Sequence, residues 1–224
     1  MSLLHLTDNR PTLAAVLWPQ ARMSPALRNA ALALGGTVLL WLSAKIQIPL
    51  YPVPVTMQTL VVLVLGVAYG WRLGVATMAL YLAEGAIGLP VFAGGWSEGA
   101  GFHNLYGPTA GYLFGFVVAA GVCGRLAERG WDRNLWSAAA AMVIGNLVIY
   151  AMGLAWLAFQ IGAADAVKYG LMPFLLGDAL KIALGACGLP AIWQGLRRQS
   201  GAAGLRYEPA PAPGAGWMTR GKRP

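Results

Sequence analysis

Residues 173–189 read PFLLGDALKIALGACGL. Asp178 and Lys181 stand three residues apart in a run that is otherwise apolar or small. On a helix that spacing puts both on one face. Asp offers only acceptors and Lys only donors. Ionisable side chains at membrane depth are costly, and they mark ligand or ion sites. A private ion pair that merely braces the bundle is the plainer alternative, but a buried pair is weak support for stability. By rise along a helix, both residues fall in the outer half of a span that starts at Pro173.

The surrounding chain fits a membrane setting. Of its 224 residues, 58% are hydrophobic and only 11% charged, and the mean hydropathy is +0.59. A soluble domain carries about a quarter charged residues. Apolar stretches run over 29–44, 57–70, 73–91, 108–124, 135–160 and 173–196. Several are short against the ~20 residues of a perpendicular span. The expectation is an all-α integral membrane protein: a compact bundle of six transmembrane helices with its ligand pocket toward the outer face. Residues 1–28 then form a cytoplasmic N-terminal segment, 29–197 the membrane domain, and 198–224 a flexible basic cytoplasmic tail.

Charge supports that topology. With the N-terminus inside, the outer loops hold only Lys45 and Lys168, and the other basic residues outside the membrane, from Arg10 to Arg223, fall on the inner side. The positive-inside rule places both termini in the cytoplasm. The same rule accounts for the net charge of +8 without a nucleic acid. The run Leu13 to Trp18 is too short for a cleavable signal and reads as a brief interfacial helix.

Little points to catalysis. The histidines, His5 and His103, and the cysteines, Cys123 and Cys187, are too few and too scattered for a metal cluster or a disulfide framework. HExxH and P-loop spacings do not occur. No metal, cofactor or catalytic set is expected, and any energy source must come from another chain.

Three polar outer loops remain: 45–56, 92–107 and 161–172. The first, with Pro49, Pro52 and Pro54, cannot be a regular helix and is expected to form an extended lip. The second is rich in glycine and carries Phe92, Trp96, Phe102 and Tyr106, a composition suited to a lid. Asn146 in the fifth stretch needs a partner, either another helix or a ligand. Glu84 in the third, a candidate ligand contact, either faces the same cavity or stays protonated against a neighbour. In the first stretch, Ala26 and Ala30, and Ala31 and Gly35, are four apart. Such small faces allow close helix approach, within the bundle or to a partner.

Four stretches together resemble the BioY family, the biotin-binding S components of energy-coupling factor (ECF) transporters. They are IPLYPVPVTMQTL (48–60), YLAEGAIGLPVFAGG (81–95), GPTAGYLFGF (107–116) and GDALKIALGA (177–186). The resemblance implies biotin as ligand and a multi-pass location in the bacterial cytoplasmic membrane. It implies a transmembrane coupling subunit and two ATPase subunits as partners, with membrane lipid around the chain, and it leaves self-association open. The family's binding Asp and Lys map to Asp178 and Lys181, its Asn to Asn146, and its docking motif to Ala26, Ala30, Ala31 and Gly35. Biotin's ureido ring would meet Asp178 and Lys181, and its apolar parts would pack on Phe92, Trp96 or Tyr112. Its carboxylate would sit near Asn104; the reversed pose, with the carboxylate on Lys181, is the alternative. The rival functions are an S component for thiamine or riboflavin and, from another class, an intramembrane enzyme or assembly factor.

Overall fold

A computed structural model of the chain describes residues 10–18, 24–95 and 97–202. The chain divides into two compact units, Met1–Pro190 and Ala191–Pro224. The described part of the second unit is the end of one helix.

Local chemistry explains where each helix starts and stops. Thr12 caps α1 (Leu13–Leu17), its side chain accepting from Ala15 N–H. Ser24 caps α2 (Pro25–Lys45) in the same way, with Pro25 at the first position, where its missing N–H costs nothing. Arg28 on α2 is only 6% exposed. Its guanidinium donates to Trp18 O and Ala14 O, both at 2.6 Å, and so ties the start of α2 to the end of α1.

The first proline-rich loop is a hairpin. Strands β1 (Gln47–Ile48) and β2 (Val55–Thr56) pair antiparallel, Gln47 opposite Thr56 and Ile48 opposite Val55. The three prolines lie in the tip between them, where no ladder N–H is needed. Helix α3 (Gln58–Tyr69) meets α4 (Trp71–Ala86) at Gly70, whose φ of +78° suits glycine. The Glu128 carboxylate accepts from Trp71 N–H at 3.2 Å, placing a negative group at the N-terminal end of α4.

Helix α5 (Ala110–Glu128) lies at the centre of the first unit, packed against α3, α4 and α6 (Leu135–Ile161). The outer segment expected as a loop over 161–172 contains a short helix, α7 (Ala163–Gly170), set off by Gly162 at φ +88°. A 3-10 turn, Met172–Phe174, leads into α8 (Leu175–Ala202). Pro190 lies inside α8, where it removes a backbone hydrogen bond, and the boundary between the two units falls there. Among the described residues, four stretches, Pro25–Lys45, Ala110–Glu128, Leu135–Ile161 and Ala163–Arg198, are long and apolar enough to cross a membrane, while α3 is a shorter apolar helix.

Helices in lipid gain little from hydrophobic exclusion, so close backbone approach must do the holding. The α3–α5 crossing shows this. A Cβ placed on Gly66 would come within 2.8 Å of Ala120 Cα and 2.9 Å of its carbonyl oxygen. A Cβ on Gly115 would lie 3.1 Å from Ile149 Cα on α6. On the outward face of α2, by contrast, a Cβ on Gly35 meets nothing within 4 Å.

This contrast gives a stability prediction. Gly66→Val should destabilise the purified protein by about 1–3 kcal/mol through overpacking, read as a lower midpoint in a thermal unfolding scan. Gly35→Val should leave the midpoint of the isolated chain unchanged. Equal effects at the two positions would contradict the packing described.

Candidate functional site

A cavity of about 600 Å³ opens among the hairpin tip, the start of α3, the loops before α5, and helices α5, α6 and α8. That size is typical of small-molecule sites. Its walls include Pro49 to Pro54, Phe92 to Gly95, His103, Asn104, Tyr112, Leu113, Phe116, Ile149 and Phe174. Gln58, Thr59, Tyr150 and Asp178 add polar groups to this largely apolar lining.

Asp178 is 2% exposed and Lys181 6%. Two donors reach each oxygen of the carboxylate. Oδ1 accepts from Lys181 Nζ at 2.8 Å and Thr59 Oγ1 at 3.0 Å. Oδ2 accepts from Tyr150 Oη at 2.6 Å and Asn146 Nδ2 at 3.2 Å. An ionised carboxylate has about four acceptor positions, and here all are filled. Lys181 is equally occupied. Besides Asp178, its ammonium donates to Thr56 O at 2.7 Å and to Thr59 Oγ1 at 3.0 Å, using its three N–H groups. Burial of the two charges is thus met by mutual pairing and by neutral dipoles on α3, α6 and β2.

Asp178 and Lys181 therefore do not stand open side by side toward the cavity. Asp178 forms part of the cavity wall, whereas Lys181 and Asn146 support it from behind and are not among the lining residues. The open acceptor capacity at the wall lies on hydroxyls. Tyr150 donates its one proton to Asp178, which leaves its oxygen lone pairs. Thr59 donates to Asp178 and accepts from Lys181, keeping one lone pair. Asn146 Oδ1 is buried with no hydrogen-bond partner among the described residues.

The remaining expected residues divide. Phe92, Asn104 and Tyr112 line the cavity. Phe92 is 2% exposed and meets Tyr81 edge-on at 5.4 Å. Tyr112 Oη donates to Gly170 O at 2.9 Å and its ring stacks on Phe174. Asn104 Nδ2 donates to Glu98 O at 3.0 Å, bracing the loop. Glu84, a candidate pocket residue, is not among the residues lining the cavity; its carboxylate accepts from Thr37 Oγ1 at 3.0 Å, on the seam between α2 and α4. Trp96 lies outside the described residues. Ala26, Ala30 and Gly35 are exposed and Ala31 is half-buried on α2. Reasoning from sequence singled out neither Thr59 nor Tyr150. The signal for Tyr150 was its spacing, four residues after Asn146 and so on the same face of α6.

Comparison with known proteins places this architecture. The sequence profile of the BioY family matches residues 14–198. The "Biotin transporter BioY" of Thermotoga maritima is 39% identical over 151 residues, covering 67% of this chain and 86% of that protein. A protein of the same name from Rhizobium etli is 37% identical over 157 residues, 66% of this chain and 82% of that one. The crystal structure of an S-component for biotin from an ECF-type ABC transporter superposes with a TM-score of 0.65 at 21% identity, covering 77% of this chain and 95% of the other. At that identity the likeness concerns the fold.

Removing one partner of the buried pair should cost more than removing both. Lys181→Met leaves a buried carboxylate with only neutral donors, and about 3–5 kcal/mol of stability should be lost. Adding Asp178→Asn should restore a good part of it. Thermal unfolding of the purified variants checks this; a double variant less stable than Lys181→Met would contradict the pairing.

Proposed function

This chain belongs to the BioY family, and from that premise we propose that it binds biotin and carries it across the bacterial cytoplasmic membrane as the S component of an ECF transporter. The observation that carries the reading is the cavity itself, with a satisfied Asp178–Lys181 network in its wall. The relatives named above are biotin transporters, and the residues at the cavity suit that ligand.

Biotin presents a cyclic urea with two N–H donors and one carbonyl, a sulfur ring, and an aliphatic chain ending in a carboxylate. We place the urea against Tyr150 and Thr59, whose hydroxyl oxygens keep open lone pairs while Asp178 fixes both. The urea N–H groups meet acceptor oxygens whose positions are already fixed, so little ordering is needed on binding. Lys181 pairs with Asp178 from behind the wall without touching the ligand. Gln58 lies on the same wall with its amide directed at Tyr81 Oη, 2.6 Å away, and its second amide N–H is the donor assigned to the urea carbonyl. The sulfur ring and chain pack on Phe92, Tyr112, Phe116 and Ile149. The carboxylate lies at the mouth near Asn104, where water remains to solvate it.

In this reading the helices α2, α3, α4, α5, α6 and α8 are the six spans, both termini are cytoplasmic, and the cavity opens outward. The shortness of α3 and α4 is met by Gly70 at one end and the hairpin and loops at the other. The exposed small face of α2, with Ala26, Ala30 and Gly35, is the dock for a transmembrane coupling subunit, and two ATPase subunits supply the energy. The chain itself is a binding subunit, with no catalysis assigned to it.

Asp178→Asn reverses one hydrogen-bonding group in the wall and removes its charge. The bonds by which Asp178 fixes Tyr150 and Thr59 are lost with it, and a hydrogen bond to a charged group contributes about 1.5–3 kcal/mol. Equilibrium binding of labelled biotin to the purified variant should therefore weaken between about 10- and 100-fold. An affinity within twofold of the unaltered chain would remove Asp178 from the ligand site.

A further inference from the structure

By sequence, Lys45 is one of the two cations expected in the outer loops. In the structure its ammonium is engaged. It donates to Phe92 O at 2.9 Å and Gly94 O at 3.1 Å, both from the segment Phe92–Gly95 that forms one wall of the cavity. Two carbonyls, two residues apart, converge on one charge. The turn this requires passes through Gly94 at φ +99°, a conformation that glycine adopts readily. Gly99 completes the fit. A Cβ there would fall 2.6 Å from Phe92 O and 3.0 Å from Lys45 Nζ, so any larger residue would push the loop from the ammonium.

The wall is held from three directions. Below, Tyr81 Oη donates to Val91 O at 2.6 Å and accepts from Gln58 Nε2. Behind, Phe92 N–H donates to Gly99 O at 2.9 Å. Above, Lys45 works with Gln47, whose Oε1 accepts from Gly94 N–H at 3.0 Å. Gln47 pairs in the hairpin with Thr56, and the Thr56 carbonyl accepts from Lys181. One continuous set of bonds thus joins the buried ion pair to the opposite wall. The upper anchor is the charged and less buried part of it.

We propose that Lys45 is a positioning residue for ligand retention: it holds the Phe92–Gly95 wall closed over bound ligand and so sets the rate of escape. The proposal rests on the biotin reading. Lys45 is not among the cavity-lining residues, so its effect is on the barrier to leaving more than on the contacts made inside. Release through a hinged loop is governed by how firmly that loop is held.

The test is pulse–chase dissociation of labelled biotin, with association measured in parallel, on the purified full chain in lipid nanodiscs. Lys45→Met keeps the length of the side chain and removes its donors. It should raise the dissociation rate about tenfold and leave the association rate within twofold. Lys45→Arg restores donors and should return dissociation to near the starting rate. Gly99→Ala, which displaces the same wall without altering Lys45, should shift the rates as Lys45→Met does. Dissociation within twofold of the unaltered chain in Lys45→Met overturns the proposal. A matching fall in association, or no rescue by Lys45→Arg, also overturns it, because either outcome means general damage to the pocket. Absence of biotin binding by the unaltered chain would instead overturn the functional reading on which the proposal stands.

Discussion

A carboxylate buried in an apolar bundle must have its charge matched and its oxygens occupied, and in this molecule that requirement falls on Asp178. Lys181 matches the charge, and Thr59, Tyr150 and Asn146 fill the remaining acceptor positions. These donors come from α3, α6 and α8 itself, while Lys181 also binds the hairpin at Thr56. One group therefore fixes the relative placement of several elements. Half-satisfied polar networks are worse than none in such surroundings, so the network must form as a unit or not at all.

In the proposed reading the arrangement lets a charged pair serve a neutral urea. With Lys181 holding its position behind the wall, the face toward the cavity is one of hydroxyl and carboxylate oxygens. Such a surface recognises N–H donors without presenting an open cation. The close crossings of α3, α5 and α6 at Gly66 and Gly115 bring Thr59, Tyr112 and Tyr150 around one space. The hairpin adds a roof of prolines that needs few backbone partners of its own.

Much of this was legible in the sequence. Asp178 and Lys181 stood out because charges are rare in long apolar runs, and the stretches of low charge matched the principal helices. Thr59 and Tyr150 were not singled out. A Thr or Tyr in an apolar helix carries little signal, since it can satisfy itself locally or turn its ring into the core. Its role depends on which helix lies opposite, and that is tertiary information. For the same reason Glu84 could not be assigned from sequence alone; Thr37 on α2 decides it. Lys45 was visible only as an outer-loop cation, because its partners are backbone carbonyls, which no side-chain pattern announces.

The central claim is that biotin's urea rests on the hydroxyl oxygens of Tyr150 and Thr59, held in place by Asp178. The most direct measurement is a structure of the purified protein with biotin bound. The account predicts urea nitrogens at hydrogen-bond distance, about 2.7–3.2 Å, from those oxygens, with the carboxylate at the mouth near Asn104. A carboxylate seated on Lys181, or a urea ring outside this cavity, would contradict it.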